Sequence, residues 1–130
     1  MVLYVTPMIA AILAAIFLVL SFRVINQRGT SNVSLGDGGD EVLIKRLRVH
    51  GNFAEYAPFA LLLLLIAELQ GAQVWALYVS GVSLIIGRLC HAIGTGRISQ
   101  ITYLRVLGML LTFVSIIGTT LMILKISLFG

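Results

Sequence analysis

The sequence predicts an all-α membrane protein, a four-transmembrane-helix bundle. Two observations carry that expectation. Hydrophobic residues make up 59% of the 130-residue chain and charged residues only 11%, with a mean hydropathy of +1.07. An ordinary soluble domain carries roughly 25% charged residues, so this chain cannot clothe a water-facing surface. Its apolar residues also fall into four runs of about 20 residues, the length that crosses a bilayer. A soluble enzyme, a disordered tail and a disulfide scaffold are excluded. Residues 1–130 read as a single transmembrane domain.

The first span runs from about Val2 to Phe22. It has no basic residue before its apolar run, no small-residue cleavage pattern, and Arg23 directly behind it, so it reads as a retained helix with a stop signal rather than a signal peptide. A polar stretch from Arg23 to Arg46 follows, and its Gly-, Ser-, Asn- and Asp-rich centre predicts a turn or loop. The second span extends from Arg48 to about Leu69, the third from Val74 to Gly94 and the fourth from Ile101 to Leu128. Only a short joint at 71–73 separates spans two and three, which predicts an antiparallel hairpin. Cys90 is the only cysteine, so no intrachain disulfide forms.

The net charge of +4 has no soluble domain to carry nucleic-acid binding, and no nucleic-acid partner is expected. In a membrane protein the basic residues report topology first. Arg23, Arg28, Lys45, Arg46, Arg48, Arg88, Arg97 and Arg105 belong to one side, and only Lys125 to the other. By the positive-inside tendency the first and third loops are cytoplasmic and both termini are non-cytoplasmic.

The second span opens with a polar stripe. Arg48, Asn52 and Glu55 are spaced i, i+4 and i+7 and share a helical face. A carboxylate at the edge of an apolar span is costly, so Glu55 is expected to face the bundle and have a partner. Arg88, His91 and Thr95 share a face of span three, while Thr102, Arg105 and Thr112 share one of span four. These stripes converge at one membrane face. Guanidinium groups bind carboxylates in bidentate fashion, Glu55 would take an ammonium, and an arginine beside a thiol favours the thiolate. Such a set suits glutathione, which carries two carboxylates, an ammonium and a thiol. No metal-ligand cluster is expected.

The run Arg48-x-x-x-Asn52-x-x-Glu55-Tyr56-x-Pro58 resembles the signature of the MAPEG family, the membrane-associated proteins in eicosanoid and glutathione metabolism. The GDGG at 36–39 and the segment RVHGNFAEYAPFALLLLLIAELQGA look more like its small bacterial inner-membrane branch. The resemblance implies a homotrimer of four-helix subunits, with glutathione as cosubstrate bound between neighbours near the cytoplasmic face. It implies that Arg48, Asn52 and Glu55 hold glutathione, that His50 supplies a polar contact, and that Arg28 reaches across from a neighbour. It places Arg105 as the catalytic arginine that stabilises the thiolate. His91 stands, with Thr95, where eicosanoid-synthesising relatives often carry tyrosines, and histidine occurs at the first of these positions in some members. The activity implied is a membrane-bound glutathione S-transferase or peroxidase acting on a hydrophobic electrophile or lipid hydroperoxide. The location implied is a multi-pass protein of the inner membrane, among membrane lipids.

Plainer readings stand beside these. Arg23, Arg28, Lys45, Arg46 and Arg97 can snorkel to lipid headgroups. Arg48, Asn52 and Glu55 can form a structural network between helices, and His91 can be a packing partner. A non-catalytic membrane protein retaining the MAPEG fold is the alternative to the enzyme. A small four-span drug exporter needs a carboxylate in its first span, and this span has none.

The charge pattern makes the topology testable. Reporter fusions after Gly71 and at the C-terminus should read as non-cytoplasmic, and fusions within Leu35–Gly39 as cytoplasmic. A reversed pattern would invert the orientation.

Overall fold

The computed structural model of the chain describes residues 2–130. Four helices account for nearly all of them: α1 (Val5–Ser31), α2 (Glu41–Leu69), α3 (Val74–Gly96) and α4 (Thr102–Phe129). All four are long and apolar enough to cross a membrane, and no strand occurs among the described residues. Short loops make consecutive helices antiparallel. Helices α2 and α3 form the central pair. Helix α1 packs on both of them and α4 packs on both from the other side, with no α1–α4 packing among the described residues.

The span boundaries agree with the sequence reading except between spans one and two. The polar stretch from Arg23 to Arg46 is mostly helix, not loop. Helix α1 continues to Ser31 and α2 begins at Glu41, leaving only residues 32–40 outside a helix. No proline interrupts this stretch, and Arg, Gln and Lys are good helix formers. At 1.5 Å per residue, the 27 residues of α1 span about 40 Å, more than the roughly 30 Å hydrocarbon layer. The excess helix projects into water, where its polar residues are solvated.

The ends of this extension are chemically defined. Asn32 adopts the left-handed conformation (φ 54°) that closes α1. Asp40 is the N-cap of α2: one carboxylate oxygen accepts from the Val42 amide at 2.9 Å and the Leu43 amide at 3.4 Å. Its other oxygen accepts from Gln27 at 2.8 Å and from the Ser31 hydroxyl, both on α1. Those hydrogen bonds, the one from Ser31 above all and then the one from Gln27, lower the Asp40 pKa from 3.8 to about 2. A carboxyl group depressed on folding stabilises the fold above its unfolded value and loses that contribution as pH falls. The α1–α2 clamp therefore holds at neutral pH and is released between about pH 4 and pH 2.

The opposite end of the bundle carries a second carboxylate clamp. The first amides of a helix have no intrahelical partner, and Tyr4, the N-cap of α1, supplies no side-chain cap. Glu68, in the last turn of α2, fills that role from the neighbouring helix. Its carboxylate accepts from the amides of Tyr4 (2.7 Å), Val5 (2.8 Å) and Thr6 (2.7 Å). An acid near a helix C-terminus opposes its own helix dipole, but here it faces the positive N-terminus of the antiparallel α1.

Small residues form the α3–α4 seam. The buried residues of α4 are Gly108, Thr112, Ser115 and Thr119, spaced to line one stripe. A Cβ on Gly108 would collide with the backbone of Gly87 and His91, so only glycine permits this approach. Thr112 and Thr119 each donate to the carbonyl four residues earlier at 2.8 Å, and Ser83 crosses to the Leu111 carbonyl at 2.8 Å. This is the small-residue packing used where lipid gives no hydrophobic drive between helices. Large apolar side chains such as Leu18, Phe22, Leu62, Val79 and Leu121 are exposed on the outside, as a lipid-facing surface requires.

Glu68→Ala should strand three amides at the start of α1. Hydrogen bonds to a charged group are each worth about 1.5–3 kcal/mol, so the thermal midpoint in detergent should fall clearly. Glu68→Gln, which keeps an acceptor, should fall less. Faster hydrogen exchange confined to residues 4–6 should accompany Glu68→Ala, and unchanged exchange there would show that Glu68 is not the cap.

Candidate functional site

Helix spacing brings polar side chains together at the end of the bundle that carries the 32–40 and 97–101 loops. Ile44, Lys45, Arg48 and Asn52 follow one another along one side of α2. His91 and Thr95 lie one turn apart on α3, and Arg105 and Met109 one turn apart on α4. Together with Gln100 from the connecting loop they line a cavity of about 450 Å³. The α3–α4 connection is tight enough to place Arg105 there. The Ile101 amide donates to the Gly94 carbonyl at 3.0 Å, and a Cβ on Gly94 would lie 2.5 Å from the Arg105 amide nitrogen. The two helices thus turn back on each other directly beside His91 and Thr95.

The electrostatics of the cavity are one-sided. Its wall contains the cations Lys45, Arg48 and Arg105 and no carboxylate. Arg48 and Arg105 are exposed toward it rather than buried. Arg105 makes one long contact, Nη1 to Gln100 Oε1 at 3.4 Å, and His91 Nε2 lies 3.4 Å from Thr95 Oγ1. Asn52 is held from behind: its Oδ1 accepts from Arg88 Nη1 at 2.6 Å. A wall with three flexible donors and no acid is suited to an anion, and guanidinium groups match a carboxylate in bidentate geometry.

Of the sequence-predicted site residues, Arg48, Asn52, His91 and Arg105 line this cavity. Arg28, His50 and Glu55 do not. Arg28 Nη1 donates to the Gly36 carbonyl at 2.7 Å, holding the 32–40 loop. His50 faces α1, where its Nε2 lies 3.1 Å from Ser21 Oγ and its ring stacks on Phe17 at 4.9 Å. Glu55 departs from expectation: it is exposed on the outer surface of the bundle instead of facing inward. The reason is angular, because α2 turns its inward face through Val49, Phe53, Ala57 and Ala60, and Glu55 falls outside that arc.

Four wall residues went unrecognised in the sequence: the apolar Ile44, and Lys45, Gln100 and Met109. Lys45 precedes Arg48 by three residues and Met109 follows Arg105 by four, so helical spacing alone could have found both. Gln100 gave no signal, since its place depends on how the third loop turns. Among the described residues no cluster of His, Cys, Asp and Glu could hold a metal ion.

Four helices long and apolar enough to cross a membrane, with a cation-lined cavity between three of them, define the chain as an integral membrane protein. The sequence profile of the MAPEG family matches residues 6–125, and the chain belongs to that family. It is 41% identical over 85 residues to the inner membrane protein YecN of Escherichia coli strain K12, a stretch covering 65% of each chain. The YecN of Escherichia coli O6:H1 matches to the same extent. The alignment thus spans just under two thirds of the length of these relatives. No solved structure matches the chain.

Proposed function

We propose that the chain is an integral membrane glutathione-binding protein of the bacterial inner membrane, acting as a glutathione transferase or peroxidase on apolar electrophiles or lipid hydroperoxides. The observation that carries this reading is the cavity wall: Arg48, Asn52, His91 and Arg105 meet around about 450 Å³ with Lys45 and without any carboxylate. Arg48, Lys45 and the Asn52 amide would grip a glutathione carboxylate. Arg105, on the α4 side, would stand by the sulfur. A cation there stabilises the thiolate over the thiol, lowering the thiol pKa and raising the fraction of the nucleophile. The thiolate then attacks an electrophilic carbon, forming the C–S bond while the leaving group departs with its electron pair. With a hydroperoxide it attacks the terminal oxygen, giving the sulfenic acid and an alcohol. A second glutathione then reduces the sulfenic acid to the disulfide and water.

Arg28, His50 and Glu55 lie outside the single-chain cavity, and an exposed carboxylate on a membrane helix is expensive in lipid. Both facts favour a homotrimer in which Arg28 and Glu55 meet the ligand or a helix of the neighbouring subunit, while His50 stays engaged with Ser21 and Phe17 of its own chain. Native mass spectrometry from mild detergent should show trimers, and a folded monomer throughout would remove the shared-site reading.

One observation favours a second reading, a non-catalytic glutathione-binding member of the family. The positions on α3 that face the cavity carry His91 and Thr95, so that side of the wall supplies no phenolic hydroxyl.

Calorimetry with glutathione in detergent tests binding, and thiolate absorbance in the ultraviolet tests activation. Arg48→Ala should weaken glutathione binding roughly ten- to a hundredfold, the equivalent of one charged hydrogen bond. Arg105→Ala should leave binding of S-alkylated glutathione nearly intact while suppressing the thiolate signal. A wild type that binds without any thiolate signal at saturation favours the non-catalytic reading, and no binding at all overturns both.

A further inference from the structure

Behind the cavity lies an arginine that takes no part in its wall. Arg88 on α3 is only 1% exposed and is the largest fully buried side chain. Its partners are all neutral. Nη1 donates to Asn52 Oδ1 at 2.6 Å and reaches the Asn52 carbonyl at 3.4 Å. Nε donates to Thr112 Oγ1 at 3.1 Å and Nη2 meets Met109 Sδ at 3.3 Å. The guanidinium carbon also stands 5.7 Å from the centre of the Tyr56 ring. Two of these partners, Asn52 and Met109, are themselves wall residues of the cavity.

We propose that Arg88 is a positioning residue that fixes Asn52 as a hydrogen-bond donor toward the cavity and so makes the cavity selective for a ligand carboxylate over a neutral group. The inference rests on the glutathione reading of the cavity. A guanidinium has five N–H donors and no acceptor, so it can engage only the oxygen end of the Asn52 amide. That chemistry settles which way the amide points. The NH2 end is left for the cavity, beside Arg48, Lys45 and Arg105. Without Arg88 the amide is free to flip and present its oxygen, which repels a carboxylate.

The same geometry joins two charges through one amide. A buried cation without an acid beside it is costly, and an anion accepting from the far side of Asn52 lowers that cost. Hydrogen bonds in series polarise one another in a low-dielectric setting. A carboxylate therefore gains from Arg88 without touching it, whereas an ester or amide gains little.

The test compares dissociation constants for glutathione and glutathione diethyl ester, measured by calorimetry on the full chain in detergent. Their ratio does not depend on what fraction of a preparation is folded. Arg88→Met should reduce the wild-type preference for the acid about tenfold, and in an Asn52→Ala background it should change the ratio no further. Thr112→Val and Thr119→Val supply a matched pair in case Arg88→Met does not fold. Both threonines are buried on the same stripe of α4 and each donates to the carbonyl four residues back, but only Thr112 also holds Arg88. Thr112→Val should lower the ratio several-fold and Thr119→Val should leave it unchanged, even if both lower thermal stability. An unchanged ratio in Arg88→Met or Thr112→Val, or a loss that persists in the Asn52→Ala background, would overturn the positioning role while leaving glutathione binding intact. Failure of the wild type to bind glutathione would overturn the function reading and this inference together.

Discussion

A charged group inside a bundle whose outside faces lipid must be hydrogen-bonded by the protein itself, because no water reaches it. Arg88 meets that constraint with bonds that run outward from α3 in two directions, to Asn52 on α2 and to Thr112 and Met109 on α4. One side chain thereby joins α2, α3 and α4. The glycine-lined seam between α3 and α4 makes this possible, since Gly87 and Gly108 let Thr112 come within reach of the guanidinium. This buried charge holds the Asn52 oxygen on the α2 side and the Thr112 hydroxyl on the α4 side.

Two carboxylates perform the corresponding work on the α1 side. Asp40 pins the aqueous extension of α1 to the first turn of α2, and Glu68 caps the far end of α1 with the last turn of α2. Neither contact is an ion pair. Each is a carboxylate satisfying backbone amides or neutral side chains, which is the economical use of an acid where a partner cation would itself need solvation. In lipid, apolar packing does not distinguish one helix neighbour from another, because lipid tails are as apolar as leucine. Register along α1, α2, α3 and α4 is therefore set mainly by these polar contacts and by the small-residue seam.

The cavity inherits its character from what is missing around it. Among the chain's five acids, Asp40 and Glu68 are committed to helix ends, Asp37 and Glu41 are exposed in the 32–40 loop and at the start of α2, and Glu55 lies on the outer surface. The cations Lys45, Arg48 and Arg105 consequently face a space with no internal counter-charge. The proposed ligand of this space is consistent with membership of the MAPEG family, and the proposed association of the bundle with copies of itself is consistent with the exposed Glu55. The proposed chemistry needs nothing further from the chain than a gripped carboxylate and a cation beside sulfur.

The four helices were legible in the sequence because hydropathy over 20 residues is a local property and lipid leaves few alternatives to a helix. The convergence of Arg48, Asn52, His91 and Arg105 was legible too, since each lies on a polar stripe at helical spacing and short loops fix which ends of the spans meet. Helical spacing could also have added Lys45 and Met109. The extent of α1 and α2 beyond the membrane was not legible, as a Gly- and Ser-rich centre obscured the helical residues on both sides of it. Nor was the outward turn of Glu55, whose direction depends on which arc of α2 the neighbouring helices occupy. The partnerships of Arg88 with Asn52 and of Glu68 with the start of α1 link residues 36 and more than 60 positions apart. Pattern along the chain specifies which face of a helix is polar, but only the packed bundle decides which other face it meets.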